Sequence, residues 1–405
     1  MIARLALAAG MLALVGGCPQ RRVTERPPLA DPTLGTDGDV VASMLAELQD
    51  DVLTSYERDE PPDIDTALIP PEVGGARIGV GPGDVLVGDE LERAPSRWPL
   101  RVGADLATDL ATGTRSKRLA MHLAQDLSAA WVVDELSWRI PMCGRTAVIP
   151  LRITMLFARD GDRWAPIFEH MSFGGVATPR ADGALYGATI PPVVASRDLA
   201  DELSSVLNPL LAQGGRATQL ATGPEALLLG PAVEAEWHGP DVVGARLVAG
   251  PMKAEDRRVG FVGRSQARAT IAYWLGNVVA AVPARPGLPG GKVRLRTSFV
   301  FEKRRTVTAV AAAKDRRARP EDRSCANADV DDDTCRWVLV QGHVSQPIGD
   351  QDLAMRVFGT ALMSPNLESG EPLAVTCDDG SPGDAVRQIT APAAAPRPSA
   401  AARTP

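Results

Sequence analysis

The stretch "RWAPIFEHMS" (residues 163–172) returns near the other end of the chain as "RWVLVQGHVS" (residues 336–345), with Arg, Trp, His and Ser at the same spacing. The chain has only 7 Trp and 4 His in 405 residues, so two such strings in register point to a repeat rather than coincidence. Other blocks agree. "GPGDVLVG" from Gly81 is answered by "GPEALLLG" from Gly223, and "AAWVVDEL" with Trp131 by "AYWLGNVV" with Trp274. "LRITMLF" and "LRTSFVF" pair Arg152 with Arg296 and Phe157 with Phe301. The spacing between copies is nearly constant over these blocks and jumps only at the closing pair, Trp164 and Trp337. A duplicated unit with one insertion near 303–335 accounts for that pattern.

Each copy shows the same order of elements. "DVVASMLAELQDDVLTSY" places Val41, Met44, Leu45, Leu48 and Val52 at helical spacing. "SRDLADELSSVLNPLLAQGG" does likewise, with Ser196 as cap, Asp198 and Glu202 early and Gly214 at its end. Second helices are expected from Ser116 and from Ser265. "VIPLRITMLF" then alternates, with Ile149, Leu151, Ile153, Met155 and Phe157 on one face and Arg152 and Thr154 on the other. "DGD" at 160–162 turns the chain into "RWAPIFEHMS". Helices followed by an antiparallel meander make an α+β fold, helices packed on one face of a curved sheet.

The first residues, "MIARLALAAGMLALVGGCPQ", carry Arg4 and then an apolar run from Leu5 to Val15. That is shorter than the roughly 20 residues a membrane-spanning helix needs and reads as a secretion signal. "VGGC" resembles the lipobox of bacterial lipoproteins, which implies cleavage before Cys18 and a lipid anchor on it. Pro19 in place of Asp favours the outer membrane by analogy with enterobacterial sorting. The chain is therefore expected in the cell envelope, attached to a membrane through lipidated Cys18. Of the five cysteines, Cys325 and Cys335 bracket a short polar segment and are the expected disulfide of an oxidising compartment. Cys143 with Cys377 would complete the set, although spacing alone does not assign it.

The expected layout is a signal over 1–18, a Pro-rich tether over 19–38, a first domain over 39–190, a second over 191–366 and a Pro/Ala-rich tail over 367–405. Helix, loop, helix, "AWV", a strand with "LRIT", the turn "DGDRW" and a final strand with "EHMS" resemble the SnoaL-like domain of the nuclear transport factor 2-like fold. The resemblance runs over about residues 40–175 and more loosely to 350, where "AYWLG" replaces "AWV". It implies two tandem cone-shaped domains, each with a bent sheet around a pocket, and dimerisation through the sheet.

The formal net charge of −7 argues against nucleic acid as a partner. His170 and His343 sit at equivalent strand positions, with Trp164, Phe168 and Ser172 expected on the face of His170. They are either pocket residues that hydrogen-bond a ligand or move a proton, or structural groups bonded to a neighbouring strand or lodged in a domain interface. A catalytic reading needs an acid, and Asp134 or Glu135 is nearest, but the second copy has Gly276 and Asn277 there. Arg152 and Arg296 either clamp a carboxylate ligand or lie on the solvated or interface side of the sheet, where a long stem covers apolar surface. Trp131 and Trp274 are pocket walls or core. "NADVDDDTC" (327–335) lacks the glycine and closing Glu of a calcium loop and reads as a solvated tip. No phosphate loop, zinc motif or nucleophile elbow occurs, and no metal or cofactor is expected. The first reading is a lipid-anchored protein of binding or interaction type, with a small apolar or weakly acidic ligand or an envelope protein as partner. The alternative is an isomerase- or dehydratase-like enzyme with only the first domain active, through His170 and Asp134.

Overall fold

The structure, a computed structural model, describes residues 38–56, 68–93, 100–102, 114–142, 145–305 with short breaks, 325, 334–349 and 386–388. Helix α1 spans Gly38–Ser55, and its helically spaced Val41, Met44, Leu48 and Val52 are all buried. Helix α2 spans Arg197–Gln213 and buries Leu199, Leu203, Leu207 and Leu210. Ser196 caps it, its Oγ accepting from the Leu199 N–H at 3.3 Å. Pro209 lies inside α2 and cannot donate to the Ser205 carbonyl one turn back. The Gln219 side-chain amide donates to that carbonyl instead, at 3.4 Å. A short helix α3, Pro240–Ala249, opens with Pro at its first turn.

The strands are β1 Ala76–Ile78, β2 Val85–Val87, β3 Leu100–Val102, β4 Thr114–Leu123, β5 Ala129–Met142, β6 Arg145–Asp160, β7 Arg163–Phe173, β8 Val193–Val194, β9 Leu227–Leu229, β10 Glu236–His238, β11 Met252–Phe261, β12 Ile271–Val282, β13 Gly291–Arg305, β14 Cys335–Ser345 and β15 Val386–Gln388. They form two large sheets, β2-β1-β7-β6-β5-β4 and β10-β9-β14-β13-β12-β11-β8, and a small pair, β15-β3. Apart from the edge strand β8, the two large sheets repeat one order strand for strand. Their irregularities repeat too. A bulge between Ser116 and Arg118 on β4 matches one between Ala254 and Asp256 on β11. One at Ile167 on β7, opposite Leu156 and Phe157, matches one at Val340 on β14, opposite Val300 and Phe301. The two sheets therefore share bulge positions as well as strand order, and each bulge re-aims the side chains beyond it.

Four expectations change. The segments after Ser116 and Ser265 are not second helices. The first is strand β4, paired along β5, and the second is one 3-10 turn, Gln266–Arg268, leading into β12. Leu119 and Leu123 fit a helical period, but Leu119, Met121 and Leu123 also alternate, and pairing with β5 decides. The sheets are not purely antiparallel, since β1 runs parallel to β7 and β9 parallel to β14. "GPGDVLVG" and "GPEALLLG" are not equivalent: β9 occupies the place of β1, and Val85–Val87 matches Glu236–His238. Trp131 and Trp274 are not equivalent either. Trp131 pairs with Leu156 and Tyr273 with Val300, so Tyr273 answers Trp131 and Trp274 answers Val132. A one-residue slip moves a side chain to the opposite face of a sheet.

One face of each sheet packs under its own helices and the other packs on the opposite sheet. Under α1, Met44, Leu48 and Val52 meet Val132, Leu151, Ile153, Met155 and Phe157. Ile348, beyond the last strand of the second sheet, returns to this core, its N–H bonded to the Val80 carbonyl at 3.0 Å. The expected disulfide joins Cys325 and Cys335, with Cα atoms 6.0 Å apart. Cys18, Cys143 and Cys377, the signal, the tether, most of the insertion and nearly all of the tail lie outside the described residues.

Candidate functional site

His170 and His343 come together at the centre of the sheet-to-sheet contact. Their rings stack with centroids 3.9 Å apart and 24° between planes, and both residues are fully buried. Each ring is held by two hydroxyls, both from the opposite sheet. His170 Nδ1 meets Ser298 Oγ at 3.0 Å and Nε2 meets Ser345 Oγ at 2.8 Å. His343 Nδ1 meets Thr154 Oγ1 at 3.0 Å and Nε2 meets Ser172 Oγ at 2.9 Å. Thr154 and Ser298 occupy equivalent positions, as do Ser172 and Ser345, so the arrangement is a pseudo-twofold. A hydroxyl both donates and accepts, and therefore suits either nitrogen of a neutral imidazole. Burial, with Arg296 adding, pushes the His170 pKa down to about 3. His343 is pushed down by burial first, then by His170 and Arg152.

The two arginines frame this pair by the same symmetry. Arg152 donates to the Gly230 and Ala235 carbonyls of the second half at 3.3 and 3.4 Å. Arg296 donates to the Gly79, Pro82 and Asp84 carbonyls of the first half at 2.8, 2.6 and 3.5 Å. Both are buried, and desolvation pushes Arg296 down to about 10. Both guanidiniums thus reach backbone carbonyls of the opposite half, and Arg152 also meets the Glu135 carboxylate. Glu135 lies 3.3 Å from Arg152 and 3.8 Å from Arg118, and Arg118 also pairs with Glu236 across the halves.

Asp134 is elsewhere. It pairs across the ladder with Ile153, and Ile153 with Met171, a row that packs under α1. His170 belongs to the next row, with Thr154 and Val133, which faces the second half. The expected His170–Asp134 dyad therefore does not form, because adjacent strand positions point to opposite faces. The face expected for Trp164, Phe168 and His170 together is also split. The bulge at Ile167 leaves Trp164 bonded to the Met44 carbonyl on α1 at 3.3 Å, while Phe168 meets Tyr273 across the interface, centroids 5.6 Å apart. Trp337 likewise reaches its helix, donating to Glu202 at 2.8 Å. Trp131 is buried on the interface side and stacks on His122. Trp274 packs on Phe299 on the helix side.

The helix side differs sharply between halves. Under α1 the first sheet carries Asp134, Glu169 and Arg77, all essentially inaccessible. Arg77 lies 3.8 Å from Glu169 and 4.0 Å from Asp84. The Asp134 carboxyl accepts from Ser116 Oγ at 2.9 Å with Tyr56 also near, and burial still raises it to about 7. Met44, Met121, Met155 and Met171 belong to the apolar core beneath α1, and they are the buried methionines among the described residues. At the equivalent places the second half has Gly276 for Asp134, Gly342 for Glu169, Leu228 for Arg77, Trp274 for Val132 and Phe299 for Met155. A Cβ on Gly342 would lie 2.9 Å from Leu228 and Phe299. One on Gly276 would lie 2.2 Å from the Asp256 carbonyl and 2.6 Å from the Trp274 ring. Gly276→Ala should accordingly cost about 2–3 kcal/mol by overpacking, read as a lower urea midpoint. An unchanged midpoint would mean that Trp274 yields without loss.

No protein-family model matches the chain, and no curated protein matches it. Among solved structures it is similar to a protein described as a calcium/calmodulin-dependent protein kinase II association domain from Xanthomonas campestris. The two are 17% identical over 40% of this chain and 95% of that one, with a TM-score of 0.24. A cystatin-like-fold protein from Caulobacter vibrioides is 12% identical over 40% and 94%, TM-score 0.23. An NTF2-like protein from Prochlorococcus is 13% identical over 35% and 96%, TM-score 0.20. Overlays at this level carry no functional information.

Residue reading missed Arg77, Glu169 and the methionine cluster. Glu169 stands beside His170 in the quoted motif, and its buried face was hidden by the bulge at Ile167. The hydroxyl partners were visible as the repeated His-x-Ser, but nothing in one strand says that a partner sheet lies opposite.

Proposed function

We propose that the chain is a lipid-anchored cell-envelope protein, attached through Cys18 and sorted to the outer membrane, built from two tandem SnoaL-like domains of unequal role. The first domain binds a small ligand between α1 and its sheet. The second supplies the sheet face that a separate subunit supplies in a dimer. The observation that carries this reading is the exchange of Asp134, Glu169 and Arg77 for Gly276, Gly342 and Leu228 on one repeated frame. Buried ionisable groups are costly, and the second domain shows that the frame holds without them. Unbranched methionines adapt to varied ligand shapes, whereas Trp274 and Phe299 fill the same space permanently. A wholly acidic ligand is disfavoured, since two carboxyls face the site and both candidate arginine clamps are bound to backbone.

Native mass spectrometry of the chain from residue 18 with Cys18→Ser tests this. The expected result is a soluble protein with a bound mass that disappears in Val132→Trp/Met155→Phe, which copies the second domain. A bare chain mass under all conditions would overturn ligand binding and leave a partner protein as the occupant of the free surfaces. A second reading, proton transfer on a small hydrophobic substrate, is favoured by one observation, the Asp134 carboxyl poised near neutrality beside Tyr56. It predicts a variant Asp134→Asn that still binds but no longer turns substrate over.

A further inference from the structure

The His170–His343 stack is independent of the ligand site. It joins the two halves through hydroxyl bonds alone, and two imidazoles at 3.9 Å leave no room for a counter-ion between them. The groups facing the pair from every packed element are Thr154 on β6, Ser172 on β7, Ser298 on β13 and Ser345 on β14. The charges nearest it are the guanidiniums of Arg152 and Arg296. Glu135 pairs with Arg152 at 3.3 Å, on its far side at the rim. A protonated ring would therefore stand in a dry site against a second ring and two cations.

We propose that this stack is an acid-sensitive latch: the two sheets stay apposed only while both rings are neutral, and proton uptake parts them. The parted sheets expose a face of hydroxyls, aromatic rings and the Leu227–Leu229 strand, while each sheet keeps the packing beneath its own helix. The direction follows from linkage. A base whose folded pKa is lowered stabilises the closed form above its ordinary pKa, near 6.5, and that stability is lost as pH falls. Each ring weakens the closed form about tenfold per pH unit below that value until its folded pKa is reached. One interface carboxyl opposes this. Glu302 accepts from the Gln125 N–H at 2.6 Å, and burial raises it to about 7, so acid relieves it. Two rings outrun one carboxyl, and Glu302 has nothing left to relieve below its ordinary range.

The test uses the same full chain, Cys18→Ser, titrated from pH 7.5 to 3.5. Dye binding to apolar surface should rise below pH 6 while the strand signal in far-UV circular dichroism persists. In His170→Gln/His343→Gln, where the amides keep hydroxyl partners without titrating, the rise should vanish or move down by more than one pH unit. Nuclear magnetic resonance of the imidazole C–H protons gives a readout that needs no folded variant. Both rings should stay neutral until the halves part and then take up protons together. The latch is overturned if the double variant, folded at pH 7, opens at the wild-type pH. It is equally overturned if either ring protonates while the interface stays closed.

Discussion

Asp134→Asn should make the protein more stable at pH 8, by about 2–4 kcal/mol, and the gain should fade to nothing below pH 4. The carboxyl is held near 7 because burial disfavours its charge, against about 3.9 in an unfolded chain. A raised acid keeps its proton on folding, so its contribution is full below the unfolded pKa and is lost as pH rises through 7. A gap of about three units at 1.36 kcal/mol each sets the upper end of the gain. Asn cannot ionise and can still accept from Ser116, so it escapes the loss above pH 7. Urea midpoints at pH 4, 6 and 8 measure it. Destabilisation at pH 8 would mean that the ionised carboxylate is held by a cation and that Asp134 is structural. A gain would mean that the chain retains a destabilising acid at a place where its repeat has glycine, the usual mark of a working group.

Removing the Arg296 side chain should cost about 3–5 kcal/mol, among the largest losses any single interface change produces. Three first-half carbonyls accept from its guanidinium, and each buried acceptor left bare costs about 1–3 kcal/mol before relaxation. Arg152→Ala should cost less, about 2–3 kcal/mol, because it reaches only two carbonyls, at 3.3 and 3.4 Å, and its third partner, Glu135, is part-exposed. Arg296→Lys should recover only part of the loss, since a single ammonium cannot span a planar fork of acceptors. Urea unfolding at pH 7 decides it. Losses under 1 kcal/mol for both alanine variants would show that water replaces the guanidiniums and that other contacts hold the sheets together.

Much of the architecture was legible in the chain. Repeats of Trp-x5-His-x-Ser, Arg152 with Arg296 and Phe157 with Phe301 identified equivalent strands, because each element carries its own periodicity. The same local reading went wrong where two periods overlap. Leu119 and Leu123 satisfied a helical spacing within what is strand β4, and Trp131 was matched to Trp274 one residue out of register. Both errors arise because an identity match carries no information about hydrogen-bonded pairing, which sets the face a side chain occupies.

The sequence by itself pointed to a repeated α+β frame, to Cys325 and Cys335 as the expected bridge, and to His170 and His343 as equivalents. Only the tertiary structure decided what those histidines meet. A strand specifies which residues share a face and not what covers that face, so the Thr154, Ser172, Ser298 and Ser345 partners exist only once the sheets are apposed. It also decided that Asp134 turns away from His170 toward α1, because alternation along β5, read against the ladder with β6, places neighbouring rows on opposite sides.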